Sequence, residues 1–435
     1  MRILFLHPNF PAQFRHVAIA LAQDPNNEVI FGTACKDGQM RGVRKAIYPT
    51  PKPNPKISPN LRMFSNATET GHVVRRMAEQ LKQRGFVPDI IMGHSGWGPT
   101  LFMKDVYPDA ELICYVEWFY HAYGADLHFD PSDSMTGEEI ARLRIKNASF
   151  LIDLYSCDRA LTPTHWQHQQ FPPEFHSKIS VLHDGIDTNY FQPEPNAKLV
   201  LPDIDLDLSE VPEIVTYATR GMEPYRGFPQ FMEAASILQK RRPNCHIVVV
   251  GKDRVAYGPQ RRDGKTYKQE MLETLEFDRD RLHFTGHLSY RDYRQVLRAS
   301  SAHIYLSYPF VLSWSMLEAM SVGCVVVGSK TPPVEEVITD GENGLLVDFF
   351  SPVDFADRVE EVLDDPNRRQ DLRTNARQTI IDRYDLAKLL PQKVEWMMRS
   401  VKDKKARSVQ SSSPLNSETP SSATEQPSQN KWEMF

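Results

Sequence analysis

Short apolar runs recur along this chain, and segments long enough to form a helix separate most of them. A short, continuous apolar run is typical of a strand that is buried on both faces of a parallel sheet. Helices between such strands cover the two faces of the sheet. The alternation therefore predicts an α/β fold with parallel sheets. In the first half of the chain the runs are residues 2–7, 29–33, 89–93, 112–116, 159–163 and 179–183.

A second series of runs begins near residue 213, which predicts two α/β domains. The stretch between the two series is rich in proline and acidic residues and predicts a connection. From Ser408 onward, serine and proline replace the aliphatic residues, which predicts a disordered tail. The predicted units are residues 1–192 and 213–384, joined by 193–212 and followed by a helical stretch at 385–407 and the tail at 408–435.

Composition limits the partners and the compartment. The formal net charge is −5 over 435 residues, which argues against nucleic acid as a partner. No apolar stretch reaches the ~20 residues of a membrane span, and the apolar run after Arg2 is too short for a signal peptide. The five cysteines are scattered and indicate reduced thiols. We therefore expect a cytoplasmic protein, and peripheral contact with the inner face of a membrane stays open.

Residues 217–235, YATRGMEPYRGFPQFMEAA, place two arginines where a predicted strand turns into a predicted helix. Ligands bind at this edge of open parallel sheets, and the N-terminus of a helix attracts phosphate. Arg220 and Arg226 keep their charge and suit phosphate oxygens, while Gly227 lets the backbone come close to a ligand. The stretch predicts a diphosphate site. The alternative is a pair of surface arginines, with Glu223 as a partner.

A second stretch, SYPFVLSWSMLEAMSVGCVVVGS at residues 307–329, carries Glu318 near the start of a predicted helix. A carboxylate that faces the same cleft can accept hydrogen bonds from both hydroxyls of a ribose. The alternative is an acidic residue that only complements the helix dipole. A diphosphate site together with a ribose acceptor predicts a nucleoside diphosphate as the ligand.

Both stretches resemble the donor domain of GT-B-fold glycosyltransferases of family 4. TRGMEPYRGF is similar to the GR…KG stretch of that family, with Arg220 on the arginine and Arg226 in place of the lysine. FVLSWSMLEAM is similar to the E-x7-E motif, with Glu318 on its second glutamate. Further similar stretches lie at residues 181–191, 283–297 and 331–350.

The resemblance implies a GT-B fold, in which two Rossmann-like domains with parallel sheets face a cleft. The second domain would bind a nucleotide-diphosphate sugar as co-substrate, and the first would bind a carbohydrate, lipid-linked or small-molecule acceptor. The family resemblance further implies retention at the anomeric carbon, no metal and no other cofactor, in bacterial polysaccharide, glycolipid or glycoside biosynthesis. The donor-binding residues that it implies are Gly227, Gly286, His287, Ser313, Trp314, Ser315 and Glu318.

Two positions depart from the family pattern. Phe310 stands where the first glutamate of E-x7-E is placed near the donor sugar. Its ring could alter sugar selectivity, backbone amides could bind the sugar hydroxyls instead, or the ring could simply pack under the loop. The loop after the first strand lacks the usual glycines, and its Asn9 and Phe10 are assigned to the cleft.

The first domain offers polar and aromatic residues after two of its predicted strands. His94 follows the run 89–93, where the family has a histidine, and is assigned a catalytic role; a core histidine is the alternative. Glu117 and His121 follow the run 112–116 among aromatic rings, a composition suited to sugar binding. A packed aromatic cluster is the competing interpretation.

The sequence predicts an enzyme without a metal site. The acidic stretch 203–210 lies in the connection, and the histidines at residues 165–176 lack a zinc spacing. Arg220 and Arg226 would stabilise the charge that develops on the departing diphosphate.

Three other functions were weighed against a transferase. A sugar-nucleotide epimerase of similar fold and a nucleotide-sugar-binding protein without catalysis both stay open. An NAD dehydrogenase is disfavoured, because no G-x-G-x-x-G follows the first strand.

Overall fold

A computed structural model describes residues 1–131 and 134–411 of the chain. The first half of the chain forms a seven-stranded parallel sheet. Its strands are β1 (Arg2–Leu6), β2 (Glu28–Thr33), β3 (Val43–Ile47), β4 (Ile90–His94), β5 (Glu111–Tyr115), β6 (Arg159–Thr162) and β7 (Ile179–Val181). They pair in the order β3-β2-β1-β4-β5-β6-β7. Strands β4 and β5 are buried along their whole length, because helices cover both faces of the sheet.

A short antiparallel hairpin of β8 (Val200–Leu201) and β9 (Leu206–Asp207) precedes a six-stranded parallel sheet. The six strands are β10 (Glu213–Gly221), β11 (Cys245–Lys252), β12 (Leu282–Gly286), β13 (Ala302–Tyr305), β14 (Val326–Ser329) and β15 (Leu345–Val347). They pair in the order β12-β11-β10-β13-β14-β15. The fold is therefore α/β of the GT-B type, and the limits of its domains at residues 192 and 213 stay a prediction.

Helices connect the strands and cover the sheets. They are α1 (Arg15–Gln23), α2 (Arg62–Gln83), α3 (Met103–Val106), α4 (Gly137–Lys146), α5 (Ala148–Ser156), α6 (His165–Gln169), α7 (Phe228–Arg241), α8 (Tyr267–Thr274), α9 (Tyr290–Ala299), α10 (Trp314–Ser321), α11 (Pro332–Glu335), α12 (Pro352–Asp364), α13 (Pro366–Arg383) and α14 (Leu386–Ser411). None of the helices in the described ranges is long and apolar enough to cross a membrane.

Helix α7 shows how the sequence builds this edge of the second sheet. Its apolar residues recur at helical spacing, and Phe228, Phe231 and Leu238 are fully buried. Gly227 starts the helix at a φ of 61°, in the left-handed region that favours glycine. A Cβ at this position would lie 2.4 Å from the Cβ of Leu306. The glycine therefore serves a close approach between α7 and the end of β13.

Helix α14 packs against α1 of the first half of the chain. Lys393 and Asp184 form a buried ion pair with an Nζ–Oδ1 distance of 2.8 Å. Arg159 on β6 donates to the backbone carbonyls of Trp396 and Met397. The helix runs to Ser411, past the predicted start of the tail at Ser408, and the rest of that tail lies outside the described residues.

Two strands and the hairpin were not predicted from the sequence. Strand β3, VRKAI, lies at the edge of its sheet and exposes residues, so it lacks a continuous apolar run. Strand β15 is an edge strand of only three residues. Both belong to the class of short or half-exposed strands that an apolar-run search does not find.

Candidate active site

The carboxyl ends of the two sheets bring together side chains from both halves of the chain. Trp118, which follows β5, contacts Phe310, which follows β13, with ring centroids 4.8 Å apart. Tyr225, between β10 and α7, donates a hydrogen bond of 2.9 Å to Oδ2 of Asp126. The strand-to-helix loops of the two sheets therefore meet at one cleft, as expected for open parallel sheets.

Arg226 is buried at this edge, in a short 3-10 turn at Pro224–Arg226. The residue is only 6% exposed. Its Nη1 donates to Ser307 Oγ at 2.8 Å and lies 3.4 Å from the hydroxyl of Tyr305. The guanidinium carbon lies 5.2 Å from the ring centroid of Tyr257. In the described part of the chain no carboxylate lies within ion-pair distance of it. Two hydroxyls and a ring contact this cation, and the Glu223 carboxyl interacts with it electrostatically from farther away.

Arg220 has a different environment. It is exposed, near the carboxyl end of β10, and its carbonyl accepts a hydrogen bond of 3.4 Å from Arg254 Nε. Its guanidinium forms no ion pair with a carboxylate among residues 1–131 and 134–411. Of the two predicted diphosphate arginines, Arg220 therefore lies exposed on β10, whereas Arg226 lies buried in the turn that follows.

Glu223 was weighed as a partner of these arginines, and the structure gives it another role. Its Oε2 accepts hydrogen bonds from the backbone amides of Ala256 and Tyr257. Its Oε1 is buried and has no hydrogen-bond partner within the described part of the chain. Burial raises the pKa of this carboxyl to about 7. Glu223 therefore holds the loop after β11 beside Arg226 and forms no ion pair with that arginine.

Glu318 is 5% exposed on α10, and its Oε1 accepts a hydrogen bond of 3.1 Å from the hydroxyl of Tyr290. Burial raises the pKa of the Glu318 carboxyl to about 7. Ser313 caps α10 by accepting from the amide of Ser315, and its own amide donates to Tyr305. Since Tyr305 also lies beside Arg226, the predicted diphosphate arginine and the start of α10 share one hydroxyl.

The other predicted donor residues lie on the same edge. Trp314 and Ser315 are partly exposed in the first turn of α10. Gly286 ends β12 with a φ of 70° and open space around it, and His287 next to it is exposed. Their contact with a donor stays a prediction.

His94 and Glu117 form a pair at the carboxyl ends of β4 and β5. His94 Nε2 lies 3.0 Å from Glu117 Oε2, and His94 Nδ1 lies 2.9 Å from the carbonyl oxygen of Ser95. Gln13 Nε2 donates to the other oxygen of Glu117 at 2.9 Å. His94 is buried, whereas 28% of the Glu117 side chain is exposed. Glu117 is therefore the member of the pair that a substrate can reach.

Three predicted cleft residues have mainly local contacts. His121 Nε2 lies 2.7 Å from the backbone carbonyl of Gln170, and the amide of exposed Asn9 donates to His7 Nδ1. Phe10 packs edge-on against Phe31, with ring centroids 5.0 Å apart. These contacts favour supporting roles, and their assignment to the cleft stays a prediction.

Phe310 is 7% exposed and surrounded by aromatic rings. Besides Trp118, it packs against Tyr225 and Tyr257 with ring centroids 5.5 and 5.4 Å apart. This surrounding favours the packing interpretation of Phe310. Direct selection of a sugar by its ring stays a prediction.

A cavity of about 560 Å³ lies elsewhere, at the amino ends of β1 and β2. Its lining includes Arg2, Glu28, Arg44 and Arg84 but none of the predicted site residues. In parallel sheets ligands bind at the carboxyl ends of strands. We therefore place the candidate active site at the cleft.

Comparison with known families identifies the family to which this chain belongs. A family model for the glycosyl transferase family 4 group matches residues 25–191, and one for glycosyl transferases group 1 matches residues 206–379. This chain belongs to the GT-B-fold glycosyltransferases of family 4.

Individual relatives of this chain are distant in sequence. Alpha-D-kanosaminyltransferase of Streptomyces kanamyceticus is 29% identical over 174 residues, 40% of this chain and 42% of that one. D-inositol 3-phosphate glycosyltransferase of Corynebacterium glutamicum is 25% identical over 194 residues, 44% of this chain and 45% of that one. In both cases the match spans less than half of the relative's length.

Among solved structures, HepE of Anabaena in complex with UDP has a TM-score of 0.66 and 16% identity. The similarity covers 91% of this chain and 99% of HepE. At this identity it shows the fold alone.

Several residues of the candidate site were not predicted from the sequence. They include Gln13, Tyr257, Tyr290 and Tyr305. Gln13 lies in the short 3-10 helix Ala12–Phe14 after β1, and Tyr257 lies in the loop after β11, so their position at the strand-to-helix edge was the available signal. Tyr290 lies in the similar stretch 283–297 but was not singled out there, and Tyr305 lies on β13. Only the fold brings these hydroxyls to Glu318 and Arg226.

Proposed function

We propose that this chain transfers a sugar from a nucleoside-diphosphate donor to a hydroxyl acceptor. The observation that supports this best is the environment of Arg226. A buried guanidinium without a carboxylate partner is costly unless an anion binds beside it. Arg226 lies at the start of α7, where a helix N-terminus also favours an anion. A diphosphate would supply the missing negative charge.

Arg220 on β10 and Arg226 in the turn before α7 would bind the two phosphates. Negative charge grows on the diphosphate as the bond between the sugar and its oxygen breaks, and fixed cations stabilise that charge. Glu318 would accept the ribose hydroxyls in exchange for its hydrogen bond to Tyr290. These contacts require no metal, and we propose metal-independent transfer.

The acceptor would bind on the side of the first sheet. Glu117 is partly exposed and held by His94 and Gln13, so its oxygens are positioned to accept a hydrogen bond from an acceptor hydroxyl. We propose retention, with the hydroxyl attacking the face from which the diphosphate leaves. Its proton would pass to the departing phosphate oxygen. A carbohydrate, a lipid-linked sugar or a small molecule all meet this requirement.

Two related proteins support the substrate class. HepE has been solved with UDP-glucose, and a curated relative is a D-inositol 3-phosphate glycosyltransferase. UDP-sugars are therefore the first donors to examine.

The proposal is tested by incubating the chain with UDP-, GDP- and ADP-sugars and a panel of hydroxyl acceptors (carbohydrates, lipid-linked sugars and small molecules). Release of the nucleoside diphosphate is measured with and without each acceptor. We expect release from one nucleotide class, and nuclear magnetic resonance should show a product with the donor's anomeric configuration. An inverted product would contradict retention. Interconversion of donor sugars without release would identify an epimerase. Binding without either reaction would identify a nucleotide-sugar-binding protein.

A further inference from the structure

The segment at residues 118–129, which we call the clasp, belongs to the first half of the chain but packs into the core of the second. It follows β5 and contains no helix or strand. Trp118 and Ala125 are buried in the same apolar cluster as Tyr217 and Phe228 of the second half. At the far end of the clasp, Phe129 lies 5.0 Å from Tyr308, measured between ring centroids. The clasp therefore spans the cleft.

The base of the clasp is fixed to the first half of the chain. Asn147 binds both backbone groups of Tyr120, accepting from its amide at 2.9 Å and donating to its carbonyl at 2.8 Å. Gln167 Nε2 donates to the carbonyl of Glu117 at 2.8 Å. Because Glu117 directly precedes Trp118, the position of the Trp118 ring bears directly on the orientation of Glu117.

The receiving surface on the second half is fixed to Arg226. Trp118 contacts Phe310, and Phe310 packs against Tyr225 and Tyr257. Tyr225 precedes Arg226 in the same turn, and Tyr257 lies against its guanidinium. A continuous path of contacts therefore joins the acceptor side to the diphosphate side through Trp118 and Phe310.

The contact region between the clasp and the second half of the chain also contains groups that oppose permanent closure of the cleft. Trp118 Nε1, Asp126 Oδ1 and Trp166 Nε1 are buried and have no hydrogen-bond partner among residues 1–131 and 134–411. Such atoms regain hydrogen bonds when water reaches them, whereas aromatic contacts favour the closed cleft. Domains that share a limited interface are expected to move relative to one another, and a donor must enter before the cleft closes.

Taken with the proposed function, on which it rests, we propose that the Trp118–Phe310 contact closes the cleft and positions Glu117 against Arg226. Phe310 and Trp118 are positioning residues in this proposal. It also accounts for the phenylalanine at the motif position, because a ring there provides a socket for Trp118 that a glutamate would not.

A double-mutant cycle tests this contact. Trp118→Leu and Phe310→Leu should each lower kcat/KM for sugar transfer about tenfold, and the double variant should show about the same loss. The Kd of UDP, whose proposed contacts are all on the second half, should stay unchanged in all three. The control is Tyr123→Leu, a ring of the clasp that is 64% exposed, and it should keep full activity.

Additive losses, unchanged activity or a parallel loss of UDP affinity in Phe310→Leu would overturn the proposal. If the leucine variants fail to fold, Tyr225→Phe keeps the ring and removes only the hydrogen bond to Asp126. It should lower kcat/KM at unchanged UDP affinity, and full activity of this variant would count against the clasp. Donor release by the wild-type chain is measured separately, so failure of the clasp is distinguishable from failure of the proposed function.

Discussion

Arg220 and Arg226 have the same predicted role but differ in their exposure to solvent. Arg220 is exposed, and its side chain can reach a ligand without any cost of burial. Arg226 is almost completely buried beside Ser307 and Tyr257. Electrostatic interactions are stronger where water is excluded. We therefore expect Arg226 to contribute more to the transition state than Arg220.

Glu318 provides a prediction about pH at the residue scale. Burial raises its pKa from 4.5 to about 7, so between these values the folded state binds more protons than the unfolded state. Its ionisation therefore lowers stability as pH rises toward 7, by about 3 kcal/mol at most. The free energy of unfolding of Glu318→Gln minus that of wild type should therefore be more positive at pH 8 than at pH 5. Urea unfolding at both values measures this difference.

The same substitution at exposed Glu342 is the control for that measurement. It should change the free energy of unfolding by similar amounts at pH 5 and pH 8. An equal effect of Glu318→Gln at both values would show that this carboxyl ionises without a cost.

At the scale of elements, the junction between β10 and α7 sets the position of Arg226. The turn at Pro224–Arg226 ends at Gly227, where the chain reverses into the helix with a left-handed backbone. Tyr217 on β10 donates a hydrogen bond of 2.6 Å to the carbonyl of Arg226. Strand, turn and helix therefore fix the backbone of this arginine at both ends.

Gly227→Ala should destabilise this junction, because the new Cβ meets Leu306 and the backbone is left-handed. The expected loss is at least about 2 kcal/mol, which lowers Tm by roughly 4–8 °C. Gly264 is the matched control, since its φ is also positive, at 79°, but nothing lies within 4 Å of its added Cβ. Thermal unfolding should show a much smaller effect of Gly264→Ala. Equal shifts would mean that backbone strain alone matters at Gly227.

At the scale of the whole molecule, α14 ties the end of the described chain to the first sheet. The Lys393–Asp184 pair is buried, with side chains 5% and 7% exposed, and Tyr115 donates to the same carboxylate at 2.7 Å. Removing only the cation of a buried ion pair destabilises a protein far more than removing both charges together.

Lys393→Met should therefore destabilise the chain by about 3–5 kcal/mol. The double variant Lys393→Met, Asp184→Asn should recover a large part of this loss, because no uncompensated charge is left in the core. Chemical denaturation gives both free energies of unfolding. A double variant that is as unstable as the single one would show that packing, rather than charge, anchors α14.

The sequence predicted the central strands of both sheets but not the side-chain contacts between the two halves of the chain. Continuous apolar runs located the central strands, because burial on both faces leaves a direct signal in the chain. The positions of Arg226 and Glu318 at the cleft followed from the strand-to-helix rule. The aromatic surrounding of Phe310 could not be predicted, because Trp118 lies far away in the chain and only tertiary packing joins the two. For the same reason the hydrogen bonds that Glu223 accepts from the amides of Ala256 and Tyr257 could not be predicted.

Activity of Arg226 variants tests the central claim most directly. With the donor that the wild type uses, Arg226→Met should lower kcat/KM by roughly 30- to 1000-fold while the protein stays folded. Arg226→Lys, which keeps the cation, should retain much more activity. Arg241→Met, at the far end of α7, serves as the control and should behave like wild type. A folded Arg226→Met with nearly normal kcat/KM would contradict a diphosphate role for this arginine and the proposed site with it.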